Sequence, residues 1–227
     1  MTSVADTCTV VASDSMSNLD QSLKGVVSEL VRMLSLVRES VELARRALIG
    51  AEGAAAEECA RNDLVIDKLM EELERTILIV IARQQPAARD LRFLGAAYRS
   101  LADIERAGDY ALHVARVGAE LAHAPPIKKY VDLGRILEVL DEMIEYTIRA
   151  FTETDVAAAR TALKMDDEID ALDQQIQREL LTHIQENPRN LGGALLLINT
   201  ARYLERLGDH LENVNEHAIF WLTGERL

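Results

Sequence analysis

The sequence predicts an all-α protein made of two three-helix bundles related by an internal duplication. Three observations carry that expectation. Nearly half of the 227 residues are apolar (48%), yet aromatics make up only 4% and four prolines serve the whole chain. That is the makeup of long helices rather than of sheets. Apolar residues recur in alternating steps of three and four along most of the chain, and no stretch alternates with a period of two. Finally, Glu105-Arg106-Ala107-Gly108-Asp109 returns a hundred residues later as Glu205-Arg206-Leu207-Gly208-Asp209, four of five residues in the same order.

Each element has its own signal. Residues 1–17 mix Ser, Thr, Asp and Val without a helical period and read as a disordered tail. Asn18 and Gln21 form a capping box, and apolar residues from Leu23 through Val27, Leu30, Leu34, Val37, Val41 and Leu48 define a first helix closed by Gly50. A second helix starts near Ala54, aligns Ile66, Leu69, Leu73, Ile77 and Val80, and stops before Pro86. A third runs from that proline to His123, with Glu105 and Gly108 standing where core residues are expected.

The Pro125-Pro126 pair is the sharpest break, so the first bundle is expected at 18–123 and the second at 127–224. A fourth helix carries Leu133, Leu137, Leu140, Ile144 and Phe151, followed by a joint of capping residues from Thr152 to Asp155. A fifth carries Leu163, Ile169, Leu172, Ile176 and Leu180 and ends at Asn187-Pro188. The sixth runs from about Leu191 to between Trp221 and Gly224, with the lone tryptophan packing it. Short joints make consecutive helices antiparallel neighbours.

A net charge of −13 argues against nucleic acid and in favour of cations or basic protein surfaces. Cys8 and Cys59 are too far apart for a metal spacing and read as two free thiols in a reducing cytoplasm. No run approaches the roughly 20 apolar residues of a membrane span, and the start of the chain lacks the pattern of a signal peptide. No Ser/His/Asp series, phosphate-cradling glycine loop or catalytic cysteine context is visible.

The carboxylates are the informative feature. Asp63 with Asp67, Glu105 with Asp109, Asp166 with Asp170, and Glu205 with Asp209 are each four apart, one helical turn, so both members of a pair face the same way. In an antiparallel hairpin, residues at equal height have numbers with a constant sum. Asp63 and Asp109 share one with Asp67 and Glu105, its midpoint at Pro86; Asp166 and Asp209 share another with Asp170 and Glu205, its midpoint beside Pro188. Two clusters of at least four carboxylates follow. Such clusters persist only if cations neutralise them or protons do. All-oxygen ligation suits magnesium, calcium, manganese or iron, and zinc is the poorer fit because structural zinc takes Cys or His.

The competing reading is a surface ion-pair network in which Arg106 and Arg206, with Arg61, Lys68, Arg160 and Lys164, neutralise these acids. Asp103 is set to pair with Arg99 and Arg106. Gly108 and Gly208, inside helices, require something close to the backbone, either a neighbouring helix or a ligand. His113, His210 and Asn213 lie one turn or less beyond the aspartates, placed either to support a metal or simply to face water.

Gln84-Gln85-Pro86-Ala87-Ala88-Arg89-Asp90-Leu91-Arg92, Asp103-Ile104-Glu105-Arg106-Ala107-Gly108-Asp109, and Tyr203 to His210 with Asn213 and Glu216 together resemble the PhoU family of phosphate-uptake regulators. The resemblance covers about residues 18–224. It implies multinuclear sites for divalent or trivalent metal ions at the E(D)xxxD motifs, here the eight acids named above, and frequent homodimers. It also implies a non-enzymatic cytoplasmic regulator that dampens phosphate uptake and starvation signalling by contact with the ATPase of the phosphate ABC transporter and with a sensor histidine kinase. Tyr203 stands where the first half has Asp103, and His113 where the second has Asn213, so the two sites need not share ligands. The alternatives are a metal-free helical scaffold and a ferritin-like di-iron carboxylate protein, whose paired Glu-x-x-His motif is matched only at Glu120–His123.

Overall fold

The structure is a computed structural model that describes residues 4–123 and 125–225, with side chains from Asn18 onward. Six long helices follow one another: α1 (Val4–Leu48), α2 (Gly53–Gln84), α3 (Ala88–Leu121), α4 (Val131–Thr152), α5 (Val156–Glu186) and α6 (Leu191–Thr223), with one short 3-10 turn at Pro188–Asn190. The described residues contain no strand. The joints match the expected breaks closely, because prolines and local caps stop helices whatever the packing. Asp155 accepts hydrogen bonds from the Ala157 and Ala158 backbone N–H groups, and Gly224 closes α6 in the left-handed conformation at φ 82°.

Two ends differ from expectation. The backbone is already helical from Val4, so the tail expected to be disordered extends α1; neither proline nor glycine lies between Val4 and Asn18 to stop it. Asn18 accordingly caps nothing, and its carbonyl accepts from the Ser22 hydroxyl inside the helix. Residues 1–3 lie outside the described residues. After α1, the left-handed residue is Ala51 (φ 55°) rather than Gly50; a Cβ on Gly50 would lie 2.7 Å from the Arg46 carbonyl oxygen, so Gly50 is required for space.

Each half is a three-helix bundle, and the halves join along α3 and α6. These two helices are antiparallel: Phe93 meets Trp221, Asp103 meets His210 and Tyr110 meets Tyr203, so numbers fall on α6 as they rise on α3. The long helices therefore form a layer in the order α2, α3, α6, α5, with α1 and α4 packed together across one side of it. One continuous core runs through both halves, including Leu34, Leu101, Ile104, Leu140, Leu204 and Leu211, all fully buried. Arg38 on α1 holds Asp141 on α4 through two hydrogen bonds of 2.6 and 2.8 Å and reaches Glu145 at 3.0 Å. Gly118 marks the closest crossing: a Cβ there would lie 2.6 Å from the Leu48 backbone nitrogen. Cys59 is a buried free thiol whose ionisation burial pushes up to about 11, which makes it unreactive.

Candidate functional site

The uncovered side of the layer carries the acids. On α3 the heptad steps Leu91, Tyr98, Glu105 run along its open stripe, and on α6 Leu191, Ile198 and Glu205 do the same. α2 supplies Asp63 and Asp67 beside α3, and α5 supplies Asp166 and Asp170 beside α6. The predicted levelling holds electrostatically. After burial, the charges that most raise the Asp63 pKa are Asp109 and then Asp67; Asp67 is raised by burial and Asp109, and Glu105 by burial and Asp109.

The second half closes further. Asp166, only 9% exposed, is pushed up to about 7 by burial and by Glu212, Asp170, Asp209 and Glu205. Burial likewise raises Asp209, Glu205 and Glu212. One carboxylate oxygen each from Asp166, Asp209 and Glu212 lies within 4.8 Å of the others, the one such trio of acid, His or Cys side chains among the described residues. Asp166 Oδ1 and Glu205 Oε2 are buried without a hydrogen-bond partner. Asp170 sits at the exposed rim.

Glu212 is absent from the sequence expectation. It follows Asp209 by three residues and so shares its face. Reading by duplication passed over it because its counterpart in the first half is Leu112. In the first half Asp109 raises Asp63, Asp67 and Glu105, but the four acids do not bring three ligand atoms together.

The ion-pair reading is true only within helices. Arg106 reaches Glu105 at 3.8 Å and Asp109 at 3.4 Å, and Arg206 reaches Glu205 at 3.6 Å and Asp209 at 3.3 Å. Both arginines are about half exposed, so these pairs contribute little. Arg160 pairs with Glu225 instead, and among the described residues Arg61, Lys68 and Lys164 make no ion pair. Among the described residues, Asp63, Asp67, Asp166 and Asp170 thus have no cationic side chain bound to them.

The motif glycines are explained by the neighbouring helix. A Cβ on Gly108 would lie 3.0 Å from Ile66 Cδ1, and one on Gly208 would lie 3.1 Å from Ile169 Cδ1 and 2.7 Å from Asp166 Oδ1. Each glycine admits the isoleucine of the preceding helix, and Gly208 also admits the buried carboxylate.

Asp103 does not pair with Arg99 or Arg106. It accepts hydrogen bonds across the seam from His210 (2.9 Å) and Asn213 (3.2 Å), with His217 at 3.6 Å, and despite burial His210 and His217 hold it down to about 2. The corresponding place in the other direction holds Tyr203, stacked on His113 at 5.2 Å and 6.0 Å from Tyr110. Sequence counterparts are thus partnered alike, Asp103 with His210 and Asn213, Tyr203 with Tyr110 and His113. One side of the seam is a hydrogen-bonded knot around Asp103 and the other an aromatic stack. His113, His210 and Asn213 serve the joint between halves.

These features define an all-α protein of two equivalent bundles, each presenting a carboxylate cluster on its second hairpin. The chain belongs to the PhoU family: the family model described as "PhoU domain" matches residues 30–117 and again 133–218. It is 43% identical over 208 residues to a "Phosphate-specific transport system accessory protein PhoU homolog" of Deinococcus radiodurans, covering 92% of this chain and 98% of that one. It is 37% identical to a protein of the same description from Aquifex aeolicus, covering 91% and 94%. The crystal structure of PhoU from Pseudomonas aeruginosa superposes with a TM-score of 0.87 at 32% identity, over 91% of this chain and 99% of that one.

Proposed function

We propose that this chain is an accessory regulator of phosphate uptake, restraining the phosphate transporter and phosphate-starvation signalling when phosphate is abundant. The observation that carries this is membership of the family along nearly its whole length, at 43% identity to a relative described as a phosphate-specific transport system accessory protein. In this reading the chain is not an enzyme. It acts from the cytoplasm through contacts with the transporter's ATPase and with a sensor kinase, and it self-associates as a homodimer. No helix among the described residues is long and apolar enough to cross a membrane, which is compatible with that placement.

Metal ions at the acid clusters belong to the same proposal. The donor set is all oxygen, Asp166 Oδ1 is buried without a hydrogen-bond partner, Glu205 Oε2 is buried with only the half-exposed Arg206 guanidinium at 3.6 Å, and among the described residues no cation of α2 or α5 neutralises the clusters. Those features fit a hard cation such as iron, manganese or magnesium. Asp166, Asp209 and Glu212 would hold it in the second half, with Glu205 and Asp170 beside them; Asp63, Asp67, Glu105 and Asp109 would hold one more loosely in the first. Neutralising the cluster would stiffen the hairpin that presents this face.

The test is a phosphate-starvation reporter, such as secreted alkaline phosphatase, in cells lacking the gene and grown in abundant phosphate. Derepression is expected, reversed by the intact gene. An Asp109→Asn, Asp209→Asn double variant is expected to restore repression only weakly. Unchanged repression in the deletion strain would overturn the regulatory reading, and full rescue by the double variant would overturn the role of the clusters.

A further inference from the structure

Two exposed leucine pairs recur at matched positions in the two halves. The hundred-residue step that maps Glu105 onto Glu205 maps Leu91 onto Leu191, 45% and 48% exposed. The step that maps Ile66 onto Ile169, the isoleucines seated on Gly108 and Gly208, maps Leu78 onto Leu181, 55% and 53% exposed. Exposed apolar side chains scattered singly need no explanation, and Leu64, 69% exposed, has Asp167 as its counterpart. The four recurring leucines are different. Core packing does not hold them, yet both copies keep them at nearly equal exposure.

They also lie on the acid-bearing face. Leu91 is two heptads before Glu105 on the open stripe of α3, and Leu78 lies eleven residues beyond Asp67 on the matching stripe of α2; α6 and α5 repeat the arrangement. Because α3 and α6 run antiparallel, the two hairpin tips sit at opposite ends of one face, with the acid clusters between them. The 34 residues of α3 make that separation roughly 50 Å. Leu195, 49% exposed where the first half has Gly95, widens the second patch.

The tips differ in charge from the rest of the chain. Between Arg75 and Arg99 stand five arginines against one aspartate, and between Arg178 and Arg202 three arginines against two glutamates, in a protein of net charge −13. We infer that this face docks a two-fold symmetric protein that offers two copies of one apolar pocket rimmed by acidic residues, its symmetry axis meeting the pseudo-two-fold axis between α3 and α6. A second copy of this chain does not fit, because its acid clusters would oppose these. An anionic membrane does not fit either, since the clusters would meet it between the tips. The inference rests on the protein-contact reading above and adds the symmetry of the partner.

The experiment places a photo-crosslinking amino acid, p-benzoylphenylalanine, at position 78 or at position 181 of the full chain in cells, and maps the captured peptides by mass spectrometry. Both positions are expected to capture the same segment of the same polypeptide. If that polypeptide is the transporter ATPase, the proposed function gains support as well; if it is another protein, the docking geometry stands and the proposed partner falls. Capture of different segments, capture at one position only, capture of this chain itself or of lipid alone, or no capture at either position overturns the inference. A second measurement uses Leu78→Asp with the crosslinker at 181. Two-point attachment predicts a loss of affinity for the captured partner of roughly 100-fold. Unchanged capture at 181 would overturn it.

Discussion

In the second half, oxygens of Asp166, Asp209 and Glu212 approach one another within 4.8 Å, whereas in the first half Asp63, Asp67, Glu105 and Asp109 interact only at longer range. The helices that carry the two sets have the same order and the same motif, so the backbone is not the cause. One and two turns beyond the motif, the second half has Glu212 and Glu216 and the first has Leu112 and Arg116. Arg116 opposes the rise of the Asp63 pKa, while Glu216 is, after burial, the largest charge contribution raising Glu212. Duplication thus preserved the frame of the site, and two substitutions in the next two turns set how much negative charge gathers in it.

The largest expected effect is on metal affinity. Calorimetric titration of the metal-free protein with Mn²⁺ is expected to resolve a tighter second site and a weaker first one. Asp209→Asn, which removes one of the proposed ligands, is expected to weaken the tighter site by more than the ~10–100-fold typical of supporting residues. Leu112→Glu is expected to strengthen the first site by about tenfold, and Glu212→Leu to bring the second down toward it. Equal affinities in the unaltered chain, or no response to the exchange, would show that the next turn does not make the difference.

A smaller effect concerns pH. Asp166 is raised in the folded chain from 3.8 to about 7, so the fold binds its proton more tightly than the unfolded chain does. Its stabilising contribution is therefore full below the ordinary aspartate value and is lost as pH rises through about 7. Melting temperatures of protein held in chelator should fall across that window. Asp166→Asn should flatten the fall, and Asp63→Asn should flatten it less. A melting profile that Asp166→Asn leaves unaltered would argue against this residue as the charged centre of the cluster.

The smallest effect separates the two motif glycines. Gly108→Ala meets only the end of the Ile66 side chain at 3.0 Å, which can rotate away, so stability should stay within about 1 kcal/mol. Gly208→Ala meets Asp166 Oδ1 at 2.7 Å and should weaken Mn²⁺ binding in the second half, with no matching loss in the first from Gly108→Ala. Equal responses would mean that Asp166 moves as freely as the isoleucines.

The helices were legible in the sequence because their signals are local. A three-four apolar rhythm, prolines at joints and capping residues act within a few positions, so α2 to α6 stand within a few residues of their expected bounds. The levelling of Asp63 with Asp109 and of Asp166 with Asp209 was legible too, since a fixed rise per residue and an antiparallel turn suffice to place them. What tertiary structure alone decided is which side of each helix meets water and which meets another helix. Asp103 found His210 and Asn213 across the seam rather than the arginines one turn away, because α3 turns that side toward α6. Glu212 joined Asp166 because burial and close approach, set by Gly208, brought α5 against α6 at that level. Spacing along one helix reports which residues share a face, and only the packing of several helices determines what that face confronts.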